Sequence, residues 1–126
     1  MPPGSTRADF AERLRAVPFF ARLAPDELAA LAREADWREY APGEVVFFEG
    51  EPAPGLFLLD SGYVKVVKAS AQGREQSLEF IAPGQPFNTV AVFTSHPSPA
   101  TAVALEASAA WMLPREPIRR LLRESP

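Results

Sequence analysis

Residues 40–66 read YAPGEVVFFEGEPAPGLFLLDSGYVKV. Four turn dipeptides, Pro42-Gly43, Glu49-Gly50, Pro54-Gly55 and Ser61-Gly62, cut this stretch into short runs of Val, Phe, Leu and Tyr. Glycine is wanted where a tight reversal needs positive φ, and aromatic and β-branched side chains suit a pleated, partly buried surface. The same rhythm continues outward at Gln72-Gly73 and Pro83-Gly84, with turn signals roughly every 5 to 11 residues. Tyr63 to Lys68 and Glu75 to Ile81 read as two strands joined around Ala71-Gln72-Gly73. Ala100 to Glu106 and Ala109 to Leu113 supply two more, and Pro114 ends the sheet region. Regular short strands between Gly/Pro turns indicate a sandwich, a jelly roll or a small barrel of about eight strands.

Helices flank this region. Thr6 and Asp9 fit a capping box in weakened form, with Asp in place of Glu. The helix after them puts Phe10, Leu14 and Val17 on one face, and Pro18 stops it. Phe19, Phe20 and Leu23 then form an apolar patch that must pack on something. Pro25 at a first helical position, with Asp26 and Glu27 in the first turn, starts a second helix through about Ala35. Its Leu28 and Leu31 point to the core. Glu116 to Glu124 is a closing helix, with Ile118, Leu121 and Leu122 on one side and Arg115, Arg119, Arg120 and Arg123 around the rest. The expected organisation is a single domain over 1–126. It has a loose tail at 1–8, a helical lead-in at 9–36, a β-roll at 37–114 and a closing helix at 115–126.

Bulk numbers exclude several functions. The chain has 126 residues, 47% of them apolar, which suits one domain with one core. It has no cysteine and one histidine, so disulfides, thiolate chemistry and a multi-His metal centre are out. The metal-dependent jelly-roll enzymes need several clustered histidines and are excluded with them. A net charge of −3 is not the electrostatic footprint of a nucleic-acid binder. There is no Gly-x-Ser-x-Gly elbow and no Gly-rich phosphate loop leading into a helix, so no enzyme activity and no cofactor is expected. MPPGSTRADF lacks the basic-then-apolar order of a signal peptide, and no apolar run approaches the ~20 residues of a membrane span. A soluble, cytoplasmic domain with no membrane partner is the expectation.

The residues also resemble a known family. Tyr40 to Ala53 looks like the opening of the cyclic-nucleotide-binding domain, Leu56 to Val66 like its next hairpin, and Ala82-Pro83-Gly84-Gln85-Pro86-Phe87 like the approach to its ligand cassette. Val17-Pro18-Phe19-Phe20, ahead of Leu23, is similar to the helical lead-in of the catabolite-activator/fumarate-nitrate (CRP/FNR) transcription regulators. The resemblance covers about Phe10 to the end. It implies a mainly β fold, a double-stranded β-helix or jelly roll with flanking N- and C-terminal helices. The turns themselves make Gly43, Gly50 and Gly62 structural, and Glu44 and Glu49 are read as turn caps or surface groups.

The resemblance places the ligand cassette at Phe87, Asn88, Thr89, Val90, Ala91, Pro99, Ala100 and Thr101. In nucleotide-binding relatives a Gly-Glu follows the Phe, and an Arg with a small residue follows a loop. The Glu accepts from the ribose hydroxyl, and the Arg pairs with the cyclic phosphate. Here Asn88-Thr89 stands where Gly-Glu would, and Pro99 where the Arg would. From Ala82 to Leu105 there is no Lys, Arg, Asp or Glu. What remains is a helix N-terminus near Asn88, with the side chains of Asn88, Thr89, Ser98 and Thr101. Family-typical cyclic AMP binding is therefore not expected; either a different small or neutral effector of unknown identity takes the pocket, or the domain's own side chains fill it. His96 sits at a loop tip, whereas the haem histidine of a haem-sensing branch would fall near Val90.

The regulators this resembles continue into a long dimerisation helix and a helix-turn-helix domain. The resemblance therefore implies the N-terminal effector-sensing domain of a longer CRP/FNR-type regulator. By itself such a domain should not bind DNA specifically, and should be a monomer or weak homodimer. The alternative is a free-standing, ligand-free interaction or structural module of the same fold.

Overall fold

The computed structural model describes residues 6–88, 92–93 and 96–124. Helix α1 (Arg7–Leu14), a 3-10 turn (Pro18–Phe20) and α2 (Pro25–Arg33) precede eight strands, and α3 (Arg115–Glu124) follows them. The strands are β1 (Asp36–Tyr40), β2 (Val45–Phe47), β3 (Gly55–Ser61), β4 (Val64–Ala69), β5 (Glu75–Ile81), β6 (Pro86–Phe87), β7 (Thr101–Ala104) and β8 (Ser108–Pro114). They form two antiparallel four-stranded sheets, ordered β1-β8-β3-β6 and β2-β7-β4-β5. This is a mainly β jelly roll with flanking helices, one of the architectures the turn rhythm allows and the one the resemblance implies.

Helix boundaries follow from local chemistry. The Thr6 hydroxyl accepts from the Asp9 N–H at 3.1 Å, and the Asp9 carboxylate accepts from the Thr6 N–H at 3.0 Å. The capping box at α1 is therefore complete despite the shorter acid. At α2 the start is carried by Pro25 at the first position and by Glu27, whose carboxylate accepts from the Ala24 N–H at 3.0 Å. Arg7 reaches across to the other end of α2, donating to the carbonyls of Ala32 and Ala35 at 2.8 and 2.7 Å. It thus adds a side-chain donor at the helix end, to the Ala35 carbonyl and to the Ala32 carbonyl, which also accepts from the Ala35 N–H. Helix α2 ends at Arg33, and Val17 packs in the core beyond the end of α1.

Alternation on two strands divides the core. On β3, Phe57 and Leu59 face the opposite sheet, while Leu56 and Leu58 face the helices. On β8, Ala110 and Met112 go inward, and Trp111 and Leu113 go to the helices. Strands covered on both faces read as continuous apolar runs, which is why LFLL shows no polar alternation. The inner cluster adds Phe47, Val64, Ile81, Phe87 and Ala102. The helix-side cluster joins Phe10, Leu14, Phe20, Leu28 and Leu31 to Val92 and to Ile118 of α3.

Gly43, Gly50, Gly62, Gly73 and Gly84 have positive φ, as the turn reading requires. Pro54-Gly55 is a correction. Gly55 does not turn the chain; it is the first residue of β3, paired with Pro114. A Cβ there would overlap the Leu113 carbonyl and the Met112 sulfur. Close packing on β8, and not positive φ, is what excludes a side chain at this position.

Candidate functional site

The charge-free stretch starts on β6 and returns on β7. Phe87 is buried in the inner cluster, with its ring stacked on Phe57 at 5.1 Å and on Phe47 at 6.1 Å. Asn88, half-buried, has φ +63°, a left-handed conformation that Asn tolerates better than most residues. Its side-chain amide donates to the Gly55 carbonyl at 3.3 Å. Thr89, Val90 and Ala91 lie outside the described residues. Phe87 and Val92 go to different cores: Phe87 between the sheets, Val92 with the helices.

On the returning side, Pro99 is exposed, while Ser98 and Ala100 are each 2% exposed. The Thr101 hydroxyl accepts from the Glu49 N–H at 2.9 Å, so it ties the β2 loop to β7. Glu49 in turn accepts from the Ala69 N–H at 3.2 Å, and Glu44 accepts from the Ala41 N–H at 2.9 Å. Both carboxylates thus cap backbone. Ser98 is pinned by its backbone: its N–H donates to the Glu51 carbonyl, and its carbonyl accepts from the Gly50 N–H, both at 2.9 Å. Its hydroxyl is buried with no hydrogen-bond partner. His96 is exposed. Among the described residues, no group of three or more His, Asp or Glu is placed to hold a metal.

A contact not read from the sequence links this segment to the N-terminal helices. Phe93 stacks on Phe19 with ring centroids 3.9 Å apart, and meets Phe20 at 5.6 Å. The unpaired Phe19-Phe20 patch was the available signal for it. Phe19 is nonetheless 63% exposed, so the stack sits at the surface. Helix α3 touches the same core through Ile118 and Leu121 and carries the Arg120–Glu34 pair at 3.2 Å. A groove of about 250 Å³, lined by Leu31, Glu34, Pro117, Arg120 and Leu121 among others, separates α3 from α2.

Two four-stranded sheets in jelly-roll order, helices packed on one of them and a charge-free stretch running from β6 to β7 define a β-roll domain. The chain belongs to the cyclic nucleotide-binding domain family, whose pattern it matches over residues 37–125. It is 28% identical over 115 residues to the CRP-like cAMP-activated global transcriptional regulator of Mycobacterium tuberculosis, covering 91% of this chain and 51% of that protein. It also resembles the crystal structure of the sensor domain of the transcriptional regulator DNR from Pseudomonas aeruginosa. That likeness has a TM-score of 0.80 and 28% identity, and covers 94% of this chain and 79% of that one. The acetyltransferase Pat of Mycolicibacterium smegmatis is 33% identical over 109 residues, 86% of this chain and 32% of that enzyme. The chain thus spans about half the length of the transcription regulators it matches. Among the described residues no helix is long and apolar enough to cross a membrane.

Proposed function

We propose that this chain is the N-terminal effector-sensing domain of a CRP/FNR-type transcription regulator, acting in the cytoplasm, and that it does not bind cyclic AMP in the charged mode its resemblance implies. The observation that carries this reading is the absence of any Lys, Arg, Asp or Glu from Ala82 to Leu105. Each bidentate charged pair missing from such a site weakens binding by roughly 30- to 1,000-fold. The hydroxyl of Thr101 and the amide of Asn88 do not replace it, because both are uncharged and each is tied to backbone by one hydrogen bond.

The mechanism is a population shift. An effector bound at the Phe87 and Pro99 ends of the cassette changes where Phe93 and Val92 sit. Phe93 bears on Phe19 and Phe20, and Val92 shares a core with Ile118 of α3. Helix α3, with a groove beside it and few buried residues, is the element that moves against this core. It biases a dimerisation helix and a DNA-binding domain further along the whole protein. The domain itself, with net charge −3, is a monomer or weak homodimer and does not read DNA.

Calorimetric titration of the chain with cyclic AMP and cyclic GMP, at low and physiological salt, tests the reading. No heat is expected up to about millimolar ligand, the range where free energies of binding fall to about 4 kcal/mol. Micromolar binding would show that the lost charges are dispensable.

A further inference from the structure

The Ser98 hydroxyl is the unexplained group of the cassette. Ser98 is 2% exposed, and its Oγ has no partner. Backbone motion does not offer relief. Both its N–H and its carbonyl are engaged by the Gly50–Glu51 loop, and it lies between Pro97 and Pro99, whose rings fix their own φ. The neighbouring Pro97 is further held in a β-bridge to Pro52. Two described polar side chains of the cassette bond backbone elsewhere: Thr101 accepts from the Glu49 N–H, and Asn88 donates to the Gly55 carbonyl. A buried hydroxyl left unpaired is costly, and native structures leave few of them so.

We propose that Ser98 Oγ is the polar anchor of an uncharged effector bound at the β6–β7 cassette. The inference rests on the sensing role proposed above and adds the chemical class of the ligand. An anion taken into this segment would find no Lys or Arg between Ala82 and Leu105 to offset its lost hydration. A neutral molecule avoids that loss. A hydroxyl both donates and accepts, so one amide, hydroxyl or carbonyl on the ligand satisfies it. The stretch from Ala82 to Leu105 is charge-free and rich in apolar residues, which suits the remainder of such a molecule.

Two measurements on the 126-residue chain decide it. The first needs no ligand. Ser98→Ala removes the orphan hydroxyl, so the melting temperature should rise by roughly 3–6 °C. A fall would mean that the hydroxyl is already satisfied in the free domain, and would overturn the proposal. The second uses matched pairs of neutral and anionic probes: nicotinamide with nicotinate, benzamide with benzoate, and adenosine with cyclic AMP. The readout is the backbone amide resonances of Ser98 and Phe93. Neutral members should shift Ser98, their anionic partners should not, and Ser98→Ala should abolish the response at that site. If anionic members shift Ser98 and Phe93 as strongly, the uncharged class is wrong while the sensing role stands. If no neutral member of the set shifts Ser98, the anchor role is rejected. If in addition no probe of either charge moves Phe93, the sensing role loses its support as well.

Discussion

Strands β3 and β5 are each seven residues long, and nearly opposite in environment. Gly55 to Leu59 of β3 are all buried, with β8 on one side, β6 on the other, helices over one face and the second sheet over the other. Glu75 to Phe80 of β5 are all exposed. β5 is the edge of its sheet, and Leu78 stands unpaired in a bulge where Val66 and Val67 oppose Glu79 and Ser77. A bulge and flanking charges are ordinary ways to keep an edge strand from recruiting another chain. The difference shows that the helices clad only one sheet. The outer face of the other carries Phe80 stacked on Tyr63 at 5.7 Å, with Leu105 also exposed. Apolar residues in this protein therefore report two things, burial on β3 and surface pairing on β5.

Truncating an aromatic ring in each strand gives the largest test of that contrast. Phe57→Ala empties the centre of the Phe47–Phe57–Phe87 stack and should cost about 3–5 kcal/mol. Phe80→Ala removes a half-exposed ring whose contact is one stacked Tyr63, and should cost about 0.5–1.5 kcal/mol. Chemical denaturation with a common m-value measures both. Equal losses would mean that the second sheet's outer face is as important as the core.

Glycines sharpen the same contrast at a smaller scale. Gly55→Ala forces a Cβ into the Leu113 carbonyl and the Met112 sulfur, and overpacking of this kind costs about 1–3 kcal/mol. Gly73, in the β4–β5 turn, has nothing within 4 Å of a built Cβ. Gly73→Ala meets only the left-handed strain of φ +78°, about 1–2 kcal/mol. The two variants differ in remedy as well. Gly73→Asn should recover most of the loss, because Asn tolerates positive φ, whereas Gly55→Asn should be worse than Gly55→Ala.

Gly55 also marks the limit of what the sequence could tell. The turn rhythm, the caps and the apolar runs are local signals; they located the helices and most of the strands and narrowed the fold to a sandwich, jelly roll or small barrel, among which the family resemblance selected the jelly roll. Pro54-Gly55 looks like another member of that rhythm. Its role is set by Leu113, 58 residues further along, which no local pattern reports. The site divides in the same way. The missing charges are visible in the sequence because they are a matter of composition. That Ser98 is buried while Pro99 is exposed depends on hydrogen bonds to Gly50 and Glu51, across a separation of nearly fifty residues. The stack of Phe93 on Phe19 is of the same long-range kind.

The smallest effect concerns the cladding itself. Asp9 is held below its ordinary pKa of 3.8, first by the Thr6 backbone N–H and then by the Thr6 hydroxyl. A depressed carboxylate stabilises the fold above its unfolded pKa, and that contribution is lost as pH falls through the folded value. Acidification below about pH 4 should therefore loosen the start of α1 before it disturbs the β4–β5 hairpin. Amide exchange at Phe10 and at Val67 reads the two regions separately. The Phe10 N–H bonds the Thr6 carbonyl, so it reports the first turn directly. Asp9→Asn keeps an acceptor but cannot titrate over this range, and should remove the acid sensitivity of Phe10 without touching Val67. If Val67 opens at the same pH as Phe10 in the wild-type chain, helices and bare sheet unfold as one unit, and the cladding is not separable from the roll it covers.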